Sequence, residues 1–313
     1  MKKNELKREY FKKGAAALRN LGVIDRECYC CPICNRLYLR EALDAGELTL
    51  EHAPPKQVGG RPLALTCKDC NSVAGYSVDS AVVERQRQLD FARALTGQKT
   101  DFKGRGTFSF GGETLNVSFE VDKGTPSIKP PKEINDPKKL KNYQAHMMHL
   151  HQTGTWDGQQ FTITPSAKYH IKHSKVGDLK AAFIICFAFF GYTFALNKRL
   201  APVRQQIINY TEDLIDRYWL VSDPKVTQDH FICLTETPVI ALAVKLDNST
   251  IILPWLDGPK EIYRHLGDNY TDKDPVMFQG RFYYWPRSLE MKLDFMRTHN
   301  ESVQPIADKS GSG

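Results

Sequence analysis

Cys31-Pro-Ile-Cys34, then Leu48-Thr-Leu-Glu51-His52-Ala-Pro54-Pro55-Lys56, Gly59-Gly60 and Cys67-Lys-Asp-Cys70-Asn71 follow one another in a chain of 313 residues. Two Cys-x-x-Cys pairs thus bracket a Glu-His dipeptide, and an asparagine comes directly after the second pair. Each short knuckle can supply two thiolates to a tetrahedral zinc ion. Four thiolates close the coordination sphere, so zinc on Cys31, Cys34, Cys67 and Cys70 is expected to be structural. Pro32 suits the tight knuckle turn. Cys28 also lies three residues before Cys31, so it could replace Cys34 as a ligand.

Glu51 and His52 offer a different chemistry. A neutral imidazole can take a proton from water near pH 7, and a carboxylate suits a hard cation such as Mg²⁺ or Mn²⁺. Consecutive strand residues face opposite sides, so both can serve only where the strand bends or ends. Ala53-Pro54-Pro55 supplies such an ending.

Around this centre, alternating Leu48/Leu50 and Leu63/Leu65 predict two short strands, and the pattern turns helical after Asn71. The order is strand, loop, strand, helix. Asn71, Gly75 and Asp79 then stack on one helix face. Residues 1–20 carry seven Lys or Arg against two Glu. They read as a basic amphipathic helix, either a solvated start to the domain or an arm (Lys2, Lys3, Lys7, Arg8) lying on phosphates.

From 31 to about 89 this stretch resembles the HNH endonuclease family, with Glu-His, Pro, Gly-Gly and Cys-x-x-Cys-Asn in the family's order. The resemblance implies a ββα-metal fold. It also implies that Glu51 holds a divalent cation, His52 is the general base that activates water, and Asn71 is a further metal ligand. Asp79 could be a third ligand, a substitute support for His52 or a salt-bridge partner of the N-terminal domain, and Lys56, in the loop after the base, a phosphate contact. Two departures stand out. The acidic position is Glu where Asp is commoner, and Arg61-Pro62-Leu63 occupy the neighbourhood of the family's middle Asn.

Downstream, residues 107–121 predict a hairpin turning at Gly111-Gly112, 123–139 an exposed loop, and 137–151 a helix. Residues 161–171 predict a strand, and His170 and His173, at its end and just beyond, are read as strand residues on opposite faces. The apolar run 181–196 is sixteen residues long, short of the roughly 20 a bilayer span needs, and predicts a buried core helix from about 178. Helices over 202–219 and 288–296 and strands near 231–234, 239–244, 251–254 and 281–285 complete the reading. His146, His149 and His151 are read as packing or surface residues.

The expected class is α+β: a basic helix (1–25), a zinc-stabilised ββα-metal HNH domain (26–96), a mixed α+β domain (97–299) and a tail (300–313). The net charge of +7 is compatible with a polyanionic partner. No apolar run follows the N-terminal charges, and paired cysteines point to metal in a reducing compartment, so a cytoplasmic location is expected. Two functions are open. One is a metal-dependent HNH endonuclease cutting DNA, with RNA as the alternative substrate and bacterial defence against foreign DNA as a candidate role. The other is a zinc-stabilised nucleic-acid-binding protein with a degenerate nuclease site. Residues 97–299 would serve target recognition, dimerisation to a homo-oligomer, or regulation.

Overall fold

The computed structural model describes residues 3–22, 24–155, 161–166, 169–222, 230–270 and 276–292. Lys2 and the tail expected over 300–313 lie outside them. Helices and sheets are both present, as the α+β class requires. The chain divides into two compact units, Met1–Val82 with His170–Gly313, and 83–169.

The first unit is built around helix Ile171–Phe190, whose residues from Val176 to Phe190 are all buried. Phe183, Ile184, Ile185, Phe187 and Phe190 have no solvent exposure. Each such side chain contributes about 1.5–3 kcal/mol when fully buried. The helix starts seven residues before the expected 178, because its first turn (Lys172, His173) is polar and hides the apolar pattern. His173 is therefore helical and His170 precedes the helix as its N-cap, and neither lies on a strand. At the other end Gly191, with φ of 77°, turns the chain into the short helix Tyr192–Ala195.

This helix packs against both strands of a two-stranded hairpin, Leu48–Ala53 and Arg61–Cys67, and against a five-stranded antiparallel sheet. The sheet order is Gln279–Tyr284, Phe231–Thr237, Ala241–Lys245, Ser249–Pro254, Trp219–Val221. Trp219 is thus a strand residue. The helix expected over 202–219 ends at Ile208, because buried Gln206 accepts the N–H groups of Leu214 and Ile215 at 2.8 and 3.2 Å and holds them out of a helical ladder. Residues 288–292 are not helical either. The Glu290 and Met291 N–H groups cap the core helix on the Ala188 carbonyl.

The N-terminal helix Lys3–Asn20 is part of this core and not a separate element. Tyr10, Phe11 and Leu18 are buried in the cluster that holds the hairpin. The Tyr10 hydroxyl donates to the Pro62 carbonyl at 2.8 Å, and the Tyr29 hydroxyl both donates to the Leu65 carbonyl and accepts its N–H. Buried hydroxyls therefore satisfy the outer edge of the Arg61–Cys67 strand, which among the described residues has no neighbouring strand on that side.

In the second unit a four-stranded antiparallel sheet runs Thr125–Lys129, Glu113–Asp122, Phe102–Phe110, Thr162–Pro165. Its central hairpin turns at Gly111 and Gly112, both with positive φ, as the sequence predicts. The loop expected over 123–139 contributes the edge strand Thr125–Lys129. The strand expected over 161–171 is limited to Thr162–Pro165. Helix Pro137–Thr153, capped by Asp136, and Phe91 and Ala94 of helix Ser80–Leu95 cover the alternate residues Leu115, Val117, Phe119 and Val121. The boundaries expected at 25 and 96 do not coincide with these units, because the hairpin finds its apolar cover on residues before 25 and after 170.

The hairpin loop is closed by a close approach at Gly60, where a Cβ would stand 1.5 Å from the Pro54 carbonyl oxygen. Gly60→Ala must therefore displace the backbone that follows His52. A loss of about 1–3 kcal/mol in denaturant unfolding is expected, the usual cost of overpacking.

Candidate functional site

The cysteine cluster forms where two turns meet. Cys31 follows the short strand Tyr29–Cys30, which pairs with Leu37–Tyr38. Its N–H bonds to the Arg36 carbonyl, and the Asn35 N–H returns to the Cys31 carbonyl, both at 2.9 Å. Asn35 has a φ of 60°, a left-handed turn position that Asn tolerates. The second pair sits at a strand-to-helix junction. Cys67 ends the hairpin, and Cys70 lies in the first turn of helix Lys68–Ala74.

The sulfurs of Cys31, Cys34, Cys67 and Cys70 lie within 4.8 Å of one another, with Cys34 and Cys67 3.7 Å apart. Tetrahedral zinc with Zn–S near 2.3 Å requires sulfur separations of about 3.8 Å, so the group could hold a metal ion such as zinc. Donors already point at the sulfurs. The Cys67 N–H reaches Cys31 Sγ and the Cys70 N–H reaches Cys67 Sγ, both at 3.5 Å; the Arg36 guanidinium contacts Cys34 and Cys67 and is held by Asp69 at 2.8 Å. Hydrogen bonds from neighbouring sulfurs, Cys31 first, pull the Cys34 thiol down, while burial pushes Cys31 up. Cys28 is buried outside the cluster, so Cys34 is the fourth member.

Glu51 and His52 sit at the end of the first hairpin strand. The pairing register shifts between them, Glu51 lying opposite Ala64 and His52 opposite Pro62. A bulge of this kind re-aims a side chain. Glu51 is 1% exposed, and His52 is half-buried. Burial lowers the His52 pKa from its ordinary value, and the positive charges of Lys56 and Lys3 lower it further, so the ring is neutral near pH 7. Lys56 and Lys3 are both exposed.

Glu51 faces inward onto a cation. One carboxylate oxygen accepts from the Lys180 ammonium at 2.8 Å, and the other accepts from the Thr66 hydroxyl at 3.0 Å. The same ammonium donates to Asp79 at 2.7 Å. Burial would lower the Lys180 pKa, but the carboxylates of Glu51 and Asp79 outweigh it, so the ammonium stays charged. Burial pushes the Glu51 carboxyl up, against the pull of Lys180, and Asp79 adds to the rise. With an ammonium on one oxygen and a hydroxyl on the other, the Glu51–Lys180 contact stands as an ion pair.

Asn71 ties the helix to the strand that carries Glu51 and His52. Its amide nitrogen donates to Thr49 Oγ1 at 2.7 Å and to the Leu50 carbonyl at 3.2 Å, immediately ahead of Glu51. Asp79 does not continue the expected stack above Asn71. A π-helical turn over Gly75–Asp79 interrupts the α-helical register and brings the Asp79 carboxylate to Lys180. The basic residues separate as well. Lys7 donates to the Leu48 carbonyl at 2.8 Å and braces the hairpin, and exposed Arg8 lies 3.9 Å from Asp44. His146 packs its ring on Phe110, as a packing residue should.

Lys180 is the residue that sequence reasoning missed. Its signal is a lone lysine at the head of the apolar run, where a buried charge requires a counter-charge.

No protein-family model, curated protein or solved structure matches this chain. Among the described residues, the four cysteines are the one group of three or more His, Cys, Asp or Glu side chains close enough together to hold a metal ion, and no helix is long and apolar enough to cross a membrane.

Metal analysis of the purified protein is expected to give one zinc per chain, and Cys34→Ser to release it. Since a structural zinc contributes folding energy directly, the variant should also unfold at lower temperature than the parent.

Proposed function

We propose that this chain is an HNH-type nuclease that hydrolyses phosphodiester bonds in nucleic acid, DNA being the favoured substrate. The observation that carries this reading is the bulge at Glu51/His52. It turns a neutral imidazole half into solvent at the end of a hairpin, with a helix lashed to that hairpin through Asn71 and a four-cysteine cluster behind it. His52 takes a proton from water as the water oxygen bonds to phosphorus. The bond from phosphorus to the leaving sugar oxygen breaks, and that oxygen takes a proton from solvent. Lys56 and Lys3, whose charges act on His52, supply positive potential where a phosphate would lie.

The resemblance also implies Mg²⁺ or Mn²⁺ on Glu51 and Asn71, with Asp79 beside them. These residues do not fit such an ion as they stand. Both Glu51 oxygens are engaged, Asp79 shares the Lys180 ammonium, and the Asn71 amide nitrogen is turned to Thr49 and Leu50. The part played by His52 stands independently of that ion. The same contacts favour a second reading, a zinc-stabilised nucleic-acid-binding protein that does not cut.

Plasmid cleavage by zinc-loaded protein in Mg²⁺ or Mn²⁺, compared with EDTA, separates the two. Cleavage is expected, and His52→Ala should reduce it about 10²- to 10⁴-fold, the usual contribution of a general base, at unchanged zinc content. DNA binding with no cleavage under any of these conditions would establish the second reading, and full activity in His52→Ala would remove His52 as the base.

The lowered His52 pKa sets the pH profile. The base is active when deprotonated, so kcat/KM should rise with pH through a midpoint below the ordinary histidine value of 6.5. Lys56→Ala removes a charge that depresses this pKa, and should move the midpoint to higher pH.

A further inference from the structure

We propose that Lys180 is the resident cation of the Glu51–Asp79 carboxylate pair and holds the position that a divalent ion would otherwise take. The two carboxylates come from the hairpin and from the π turn, and both converge on one ammonium, at 2.8 and 2.7 Å. An ion bridging the same oxygens at about 2.1 Å would compete for the lone pairs that Lys180 uses. The Lys180 side chain is 2% exposed and that of Glu51 1%. Mg²⁺ normally keeps several of its waters, and with Lys180 between the carboxylates only the side of Asp79, 17% exposed, is left to them. The remaining Glu51 oxygen is closed by Thr66. Charge leads to the same result: two carboxylates are partly neutralised by an ammonium fixed on the core helix, which lowers their attraction for a dication.

The lysine also explains why these acids can be buried at all. An isolated carboxylate is costly to bury, and removing one partner of a buried pair leaves the rest uncompensated. Without Lys180, Glu51 and Asp79 would form an anionic cavity of the kind that recruits a hard cation. The proposal does not rest on the nuclease reading, because its readout is ion binding rather than cleavage.

Mn²⁺ uptake by zinc-loaded protein, followed by the electron paramagnetic resonance of free Mn²⁺, tests it. The parent protein and Asp79→Asn should take up equal amounts. Lys180→Ala should take up one more Mn²⁺ per chain, and Lys180→Ala combined with Asp79→Asn should lose that ion again. Lys180→Ala should also unfold on the order of 10 °C lower than the parent, with part of the loss recovered in Mn²⁺. A Mn²⁺ held by the parent and absent from Asp79→Asn would overturn the proposal, as would a folded Lys180→Ala that gains none. Should Lys180→Ala fail to fold, the comparison of the parent with Asp79→Asn decides alone.

Discussion

One buried ammonium joins three pieces of the chain that are remote in sequence. Lys180 belongs to the helix at the centre of the first unit, Glu51 to the hairpin and Asp79 to the turn that leaves the knuckle helix. The net worth of a buried ion pair over an apolar substitute is small, but its directional demand is large. Two carboxylates at hydrogen-bond distance from one nitrogen fix the hairpin, the helix that follows it and the core helix in a single register. Apolar contacts such as Phe183 and Phe187 hold these elements together without specifying that register as sharply.

The hairpin and its helix need such external support. A segment of about 50 residues buries too little surface to be stable alone and generally requires a metal or a partner. This one has both. The four cysteines clamp its base, and the core helix with the N-terminal helix covers its apolar face. The two supports act at different ends. The cluster fixes the strand-to-helix junction at Cys67 and Cys70, whereas Lys180 fixes the strand end at Glu51.

What was legible in the sequence follows from how local each interaction is. Thiolate knuckles are encoded within four residues, so Cys31/Cys34 and Cys67/Cys70 could be read, and only Cys28 left a choice that geometry had to make. The hairpin was legible from period-two alternation and from Gly59-Gly60. The partition into units was not, because the apolar cover of the hairpin lies on Tyr10, Phe11 and the helix beginning at Ile171. Which of its candidate roles Asp79 plays was also illegible. Its partner is 101 residues away, and the π turn that aims it leaves no trace in a pattern read at 3.6 residues per turn. Helix 202–219 was misread for a related reason, since a buried Gln206 side chain takes over backbone donors that the periodic pattern assigns to a helix.

The bulge between Glu51 and His52 resolves a conflict built into the dipeptide. In a regular strand one residue would face the core and the other would be aimed away from it by strict alternation, with its direction fixed by the pleat. The register shift frees that direction. Glu51 goes inward, where its charge is spent on Lys180, and His52 turns to the surface near the loop that carries Lys56. Anchoring and exposure are thereby divided between neighbours. The carboxylate gives up access to solvent and to outside ions, and the imidazole gains a strand end that cannot drift. An acidic residue next to a histidine need not be its metal partner, because its carboxylate can serve instead as an anchor on a buried ammonium.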